Sequence, residues 1–135
     1  MRDLASNIAI RAVIAPVVVS DNTAAVGTVI DRLGFDSLAY VIATGTLADA
    51  DATFAVLLEE SDASGSGFAA VADADMIGTE ATAGFTFADD GKVRKLGYIG
   101  HKRYTRLTIT PTGNSGSAPI AAVAILGHAS ARPVS

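Results

Sequence analysis

Hydrophobic and polar residues alternate with period two in the second half of the stretch from Leu96 to Thr110, LGYIGHKRYTRLTIT. One side of this stretch would carry Arg103, Thr105, Leu107 and Ile109, and the other Lys102, Tyr104, Arg106, Thr108 and Thr110. The alternation predicts a β-strand with a mostly apolar core face. Its opposite face would present an aromatic ring between two cations.

Two other segments predict central strands. From Leu38 to Ala43 the residues on both faces are apolar, and Ala118 to Ala129 is apolar along nearly its whole length. A strand with two apolar faces is typical of a sheet that is covered on both sides. Val26 to Leu33 predicts a further strand, and Gly34 to Ser37 predicts the connection that follows it.

The segment from Ala52 to Glu60 (ATFAVLLEE) is compatible with either a helix or a strand. Phe54, Leu57 and Leu58 would form an apolar helical stripe. However, the segment is short and is followed by a loop rich in glycine and serine at 61–67 and by another short apolar run. A strand, a loop and a second strand is the simpler arrangement, so we expect a strand here.

The first twenty residues predict an extended N-terminal arm. Ile8 and Ile10 alternate with other residues, and Pro16 interrupts the run, which favours an edge strand or one that leaves the sheet. The sequence thus predicts an all-β single domain of about eight strands, a β-sandwich or jelly-roll-like barrel. The arm would be 1–20 and the β-sandwich domain 21–135.

Composition restricts the chemistry available to the chain. Aromatic residues are 6% of the sequence and cysteine is absent, so the core must be mainly aliphatic and disulfides are excluded. No apolar run approaches the ~20 residues that span a bilayer. Arg2, Asp3 and Arg11 interrupt the N-terminal region, which does not resemble a signal peptide. We therefore expect an untargeted protein made in the cytoplasm.

Charge is distributed unevenly. Ten of the fourteen acidic residues lie from Asp49 to Asp90, where no lysine or arginine occurs, and six of the ten basic residues lie from Lys92 to Arg106. This asymmetry indicates a bipolar surface that could meet a complementary partner, including a second copy of the chain. Solvated acidic loops would produce the same pattern.

No catalytic, phosphate-binding or metal-binding motif is recognisable. His101 and His128 lie in different segments, no serine lies in a nucleophile elbow, and we expect neither an enzyme nor a cofactor. Acidic pairs in two loops supply too few oxygens for calcium by themselves, so calcium binding by a loop stays open. The basic segment could also contact nucleic acid, but the overall negative charge favours a protein partner.

Gly97 to Leu107 (GYIGHKRYTRL) resembles a strand pair in small virion structural proteins of tailed bacteriophages. Three other pieces fit the same family in the same order: the opening MRDLASNI, the segment from Leu57 to Phe68 that begins LLEESD, and the closing GHA before Arg132 and Pro133. Within that family the chain looks like a capsid decoration (cement) protein.

The resemblance implies a non-enzymatic subunit, often a homotrimer, on the outer surface of an HK97-type head. It would be made in the host cytoplasm and located on the virion head surface, binding the major capsid protein and copies of itself, but neither nucleic acid nor membrane. We expect two contact regions, the arm and the basic strand, formed by Leu4, Ile8, Ile10 and Arg11 and by Lys102, Tyr104 and Arg106. The alternatives are a tail, baseplate or head-completion subunit, a glycan-binding jelly-roll module, or a hydrolase with an unrecognised site.

Overall fold

The computed structural model describes residues 3–134, which fold into two antiparallel β-sheets packed face to face. In chain order the strands are β1 (Ala9–Val19), β2 (Ala25–Val26), β3 (Ile30–Asp31), β4 (Phe35–Thr44), β5 (Thr53–Ser61), β6 (Ala69–Ala70), β7 (Met76–Ile77), β8 (Phe85–Thr86), β9 (Val93–Tyr98), β10 (Tyr104–Thr112) and β11 (Ala118–Ala129). Within 3–134, helical structure is limited to α1 (Glu80–Ala83) and three short 3₁₀ turns at Ala5–Asn7, Asp73–Asp75 and Phe87–Asp89. Met1, Arg2 and Ser135, which belong to the predicted arm and domain, lie outside the described residues.

The prediction of an all-β sandwich is confirmed. Sheet A has the strand order β1-β11-β4-β9-β7, and sheet B has the order β2-β10-β5-β6, with β3 also paired to β10 and β8 to β5. Over residues 3–134 the two sheets do not close into a barrel, so that alternative is wrong. The described residues form eleven strands where about eight were expected, and five of the eleven are only two residues long, too short to show a period of two.

The core lies between the inner faces of the two sheets. In β4 the buried apolar residues are Leu38, Tyr40 and Ile42, and in β5 they are Phe54, Val56 and Leu58. These side chains alternate with outward-facing ones, as the pleat of a strand requires. At the centre, the Tyr40 hydroxyl and Thr105 Oγ1 form a buried hydrogen bond of 2.5 Å.

The predicted arm contains β1, which pairs with β11 of its own chain from Ala9 opposite Leu126 to Val19 opposite Ala118. The register shifts on both sides of Ile14, before pairing resumes at Val17. Pro16 lies in this irregular part, where its missing N–H costs no ladder hydrogen bond. β1 is therefore an edge strand of sheet A.

Two sequence-based boundaries differ from the structure. Val26 to Leu33 does not form one strand, and the short strands β2 and β3 lie in this region instead. Between them the Gly27 N–H donates to Leu107 O in sheet B and the Thr28 N–H donates to Val13 O in sheet A, which interrupts the strand pairing. The chain here reaches from sheet B towards sheet A. Conversely, β4 already begins at Phe35, inside the predicted connection. The strand expected at Ala52 to Glu60 is confirmed as β5.

Candidate interaction surfaces

The outer surface of sheet B is polar, and we call it the polar face. It is formed by the outward residues of β5 and β10, which are Thr53, Ala55, Leu57, Glu59, Tyr104, Arg106, Thr108, Thr110 and Thr112. The antiparallel register places Arg106 directly opposite Glu59. The strand that the sequence predicted to be basic therefore lies beside an acidic one.

Two of the cations predicted to meet a partner, Lys102 and Arg106, are paired within the chain. Arg106 Nη2 lies 2.9 Å from Glu59 Oε1, and its guanidinium stacks over the Phe68 ring at 4.3 Å from the centroid. Lys102 Nζ lies 2.7 Å from Asp62 Oδ2. Much of the charge asymmetry in the sequence is thus neutralised by pairing between distant segments of one chain.

Arg103 is not on the core side, where the alternation placed it. Its guanidinium donates two hydrogen bonds to the Asp31 carboxylate, at 2.8 and 2.9 Å, and lies over the Tyr104 ring. The hydrogen bond from Arg103 is the main reason why the pKa of Asp31 is lowered. β10 begins only at Tyr104, so the alternation does not extend to residue 103.

Tyr98 holds the connection between β9 and β10 in place. Its hydroxyl donates to Glu60 Oε1 at 2.9 Å and accepts the Lys102 N–H at 3.0 Å. Arg32 donates to the carbonyl oxygens of Lys102 and Gly100, and its guanidinium lies over the Tyr98 ring. Burial raises the pKa of Tyr98 to about 12. The start of the basic strand is therefore rigidly positioned.

The outer surface of sheet A is apolar, and we call it the apolar face. Its central residues, which face outward from β1, β4 and β11, are Ile10, Ala12, Ala39, Val41, Ala43, Ala121, Val123 and Ile125. Val93, Lys95 and Gly97 of β9 and Ile77 of β7 continue it. Among these twelve outward residues Lys95 is the single charged one, and it lies towards the sheet edge.

Shallow hollows follow the apolar face. One of about 350 Å³ lies between the N-terminal segment and β11, lined by Leu4, Ile8 and Ile125 among others. A second of about 380 Å³ lies over Ala39 and Gly97, beside the exposed side chain of Ile77. The hollows arise because small residues occupy positions between larger aliphatic ones.

The seven predicted contact residues divide between opposite sides of the sandwich. Leu4 and Ile10 are 61% and 58% exposed, and together with Ile8 they border the apolar face. Arg11 pairs with Ala124, a core-facing position, and therefore points to the other side of β1. Lys102, Tyr104 and Arg106 lie on or beside the polar face. The sequence alone did not show that the N-terminal arm and the basic strand face opposite directions.

The apolar face is the feature that sequence reasoning missed. Its signal was present, because β4 and β11 were recognised as apolar on both faces. That pattern was interpreted as typical of a sheet that is covered on both sides, but sheet B covers only the inner face.

Histidines and acidic loops form no metal centre in the described part of the chain. No group of three or more His, Asp or Glu side chains there is arranged to hold a metal ion. His128 Nδ1 is hydrogen-bonded to Ser37 Oγ at 2.8 Å, whereas His101 borders a different hollow. Asp49 accepts hydrogen bonds from the backbone N–H groups of Ser115 and Asp51, which lower its pKa. No helix within residues 3–134 is long and apolar enough to cross a bilayer.

Comparison with known proteins identifies the fold only. No protein-family model matches the chain, and no curated protein does either. Among solved structures, the chain is similar to the one titled "Crystal structure of PBSX exported protein XepA", with a TM-score of 0.57 and 18% sequence identity. The match covers 100% of this chain and 41% of that chain, so this chain spans less than half the length of that protein.

Proposed function

We propose that this chain is a structural subunit of a phage particle, and specifically a decoration protein that binds the outside of the head and bridges neighbouring capsid subunits. The observation that carries the proposal is the two-faced sandwich. A rigid β scaffold presents one polar and one apolar surface in opposite directions, which suits a subunit placed between two partners. Such a role requires binding surfaces and no catalysis.

Two further observations support a phage-related role. The basic segment from Gly97 to Leu107 resembles phage virion proteins and forms the β9–β10 connection and the start of the polar face. The structural neighbour with the same fold is named as an exported protein of PBSX, which is phage-related.

In this proposal the polar face contacts the shell. Tyr104 and Arg106 are partly exposed, and residues of these types are frequent at interface hot spots. The internal ion pairs leave the polar face nearly neutral, so shape and hydrogen bonding would determine shell binding more than long-range attraction. Binding only the assembled lattice stabilises that lattice by mass action, and repeated copies multiply the effect.

The first experiment measures copy number. Intact particles are banded from a lysate in which the chain is produced, and the chain is quantified against the major capsid protein by mass spectrometry. The proposal expects comparable copy numbers. A few copies per particle would indicate a tail, baseplate or head-completion subunit instead, and absence from particles would contradict any virion role.

A second experiment tests the polar face. Particles that lack the chain are incubated with the purified wild type, with Tyr104→Ala, or with Thr110→Ala as the matched control on the same strand. We expect Tyr104→Ala to reduce the bound copies at least tenfold and Thr110→Ala to bind as the wild type does. Equal binding by all three would show that the shell contact lies elsewhere.

A further inference from the structure

The central strands of sheet A are built for a sheet that is covered on both sides, but only one side is covered. In the middle of β4 the inner residues Leu38, Tyr40 and Ile42 are at most 4% exposed. Ala39, Val41 and Ala43 line the outer side. In β11 the outer residues Val123 and Ile125 are equally apolar. A single solvated face of an antiparallel sheet normally carries polar residues. The apolar outer side therefore indicates a missing layer.

We propose that a second copy of this chain supplies that layer, by packing its own apolar face against this one. Two sheets that pack face to face lie about 10 Å apart, with side chains of both interleaved. Exposed Ile10 and Ile77 stand on either side of the small residues Ala39 and Gly97. The same surface thus offers both protruding side chains and the hollows that receive them.

The size of the apolar face agrees with an interface between subunits. Strand residues about 3.3 Å apart and strands about 4.8 Å apart give the whole outer side of sheet A a footprint of roughly 650 Å², of which the apolar face occupies roughly 400 Å². The largest apolar patch on a typical monomer is ~300–600 Å² and is often functional. A stable protein interface buries ~800 Å² per partner. Leu4 and Ile8, which lie beside the sheet, would add to the area that the apolar face buries.

The distribution of charge favours a permanent partner. Interfaces between identical subunits are depleted of charge at the centre and more apolar than transient ones. Here Val41 and Val123 stand opposite each other at the centre, and Lys95 lies towards the rim. The polar face has the reverse character, with ion pairs and threonines, and fits a partner that is met later.

The inference that a second copy covers the apolar face rests on the proposed function, because it depends on what the chain meets before it binds the shell. A decoration protein is folded and free before it meets a finished shell. During that time an apolar face of this size must be covered, and a second copy is the partner that is always present. Because the sheet faces themselves pack together, the polar face of each copy stays available for the shell.

The test uses the purified chain in solution without particles, so its outcome is independent of particle binding. Light scattering coupled to size exclusion at ~100 μM should give about twice the 13.7 kDa chain mass, because the two apolar faces cover each other. Val41→Glu and Ala121→Glu should each reduce the mass to that of one chain. Val41→Glu places a carboxylate opposite Lys95, which favours a folded monomer. Thr110→Glu, an equal change on the polar face, should leave the mass unchanged.

A second measurement does not depend on how the glutamate variants fold. Because the chain contains no cysteine, Ala43→Cys and Thr110→Cys each introduce a single exposed thiol. Alkylation at position 43 should slow at least tenfold as the protein concentration rises, while alkylation at position 110 should stay constant. A monomeric wild type, an oligomer unaffected by both glutamates, or equal alkylation of the two thiols at every concentration would overturn the proposal.

Discussion

Arg106 donates two hydrogen bonds to Glu59 Oε1, from Nε at 3.2 Å and from Nη2 at 2.9 Å. These two residues are 47 positions apart in sequence and directly opposite in the β5–β10 ladder. Arg106, which the sequence suggested would bind an acidic surface of a partner, is thus already paired with Glu59 of its own chain. The pair consequently contributes to the fold as well as to the surface.

We predict that Arg106→Ala lowers the free energy of unfolding by about 1 kcal/mol, because it removes a cross-strand ion pair and a cation–π contact with Phe68. Chemical denaturation of Arg106→Ala, Glu59→Ala and the double variant would give the coupling energy. Lys102→Ala is the control, since its partner Asp62 is 77% exposed and the ion pair should matter little. Additive single effects would show that Arg106 and Glu59 do not interact.

Tyr98→Phe should lower the free energy of unfolding by about 1–3 kcal/mol, because the Lys102 N–H loses its acceptor and Glu60 loses its donor. Thermal or urea unfolding at neutral pH measures this loss. Tyr104→Phe is the matched control, since no hydrogen bond of its hydroxyl holds the β9–β10 connection. Equal stability of Tyr98→Phe and the wild type would mean that water replaces the hydroxyl.

Stability should fall at alkaline pH. Burial raises the pKa of Tyr98 to about 12, and it also raises the pKa of Tyr40, whereas both tyrosines titrate near 10 in the unfolded chain. The folded state therefore binds more protons than the unfolded state above pH 10, and stability present below pH 10 is lost as the pH rises towards 12. In urea titrations Tyr98→Phe should show a shallower loss over this range. If the free energy of unfolding fell equally steeply with pH in both proteins, the raised pKa of Tyr98 would not be a cause of the loss.

The buried pair of Tyr40 and Thr105 predicts a strongly non-additive response. Thr105→Val leaves the Tyr40 hydroxyl without its partner in the core and should cost about 1–3 kcal/mol. Adding Tyr40→Phe removes the orphaned hydroxyl and should recover most of that loss. Denaturation of both single variants and the double variant tests this, and a double variant less stable than either single one would disprove it.

Gly27 lies where the chain passes between the two sheets. A Cβ at this position would be 2.5 Å from Leu107 O and 2.7 Å from Val13 Cγ1. Gly27→Ala should therefore destabilise the fold by more than about 2 kcal/mol through overpacking. Gly65→Ala is the control, because a Cβ at Gly65 would meet nothing within 4 Å. Similar melting temperatures for the two variants would contradict the close approach.

The long strands could be predicted from sequence because side chains on a pleated strand alternate with period two. β5, β10 and β11 were predicted in nearly their observed positions, and the all-β class followed from them. The two-residue strands β2, β3 and β7 could not be predicted as separate elements, because two residues carry no periodicity, whereas β6 lies where a second strand was expected after the loop at 61–67. Their pairing depends on neighbours far away in the chain.

The sequence by itself also determined which residues are available for contact: an apolar N-terminal segment, a basic strand and two strands with two apolar faces. Only the tertiary structure decided how these combine. Strand register is a long-range property, so it alone could place Arg106 opposite Glu59 and neutralise the basic strand. Sheet order alone could leave the outer side of β4 and β11 uncovered. Apolar residues in a sequence require burial, but the sequence does not say which chain provides it.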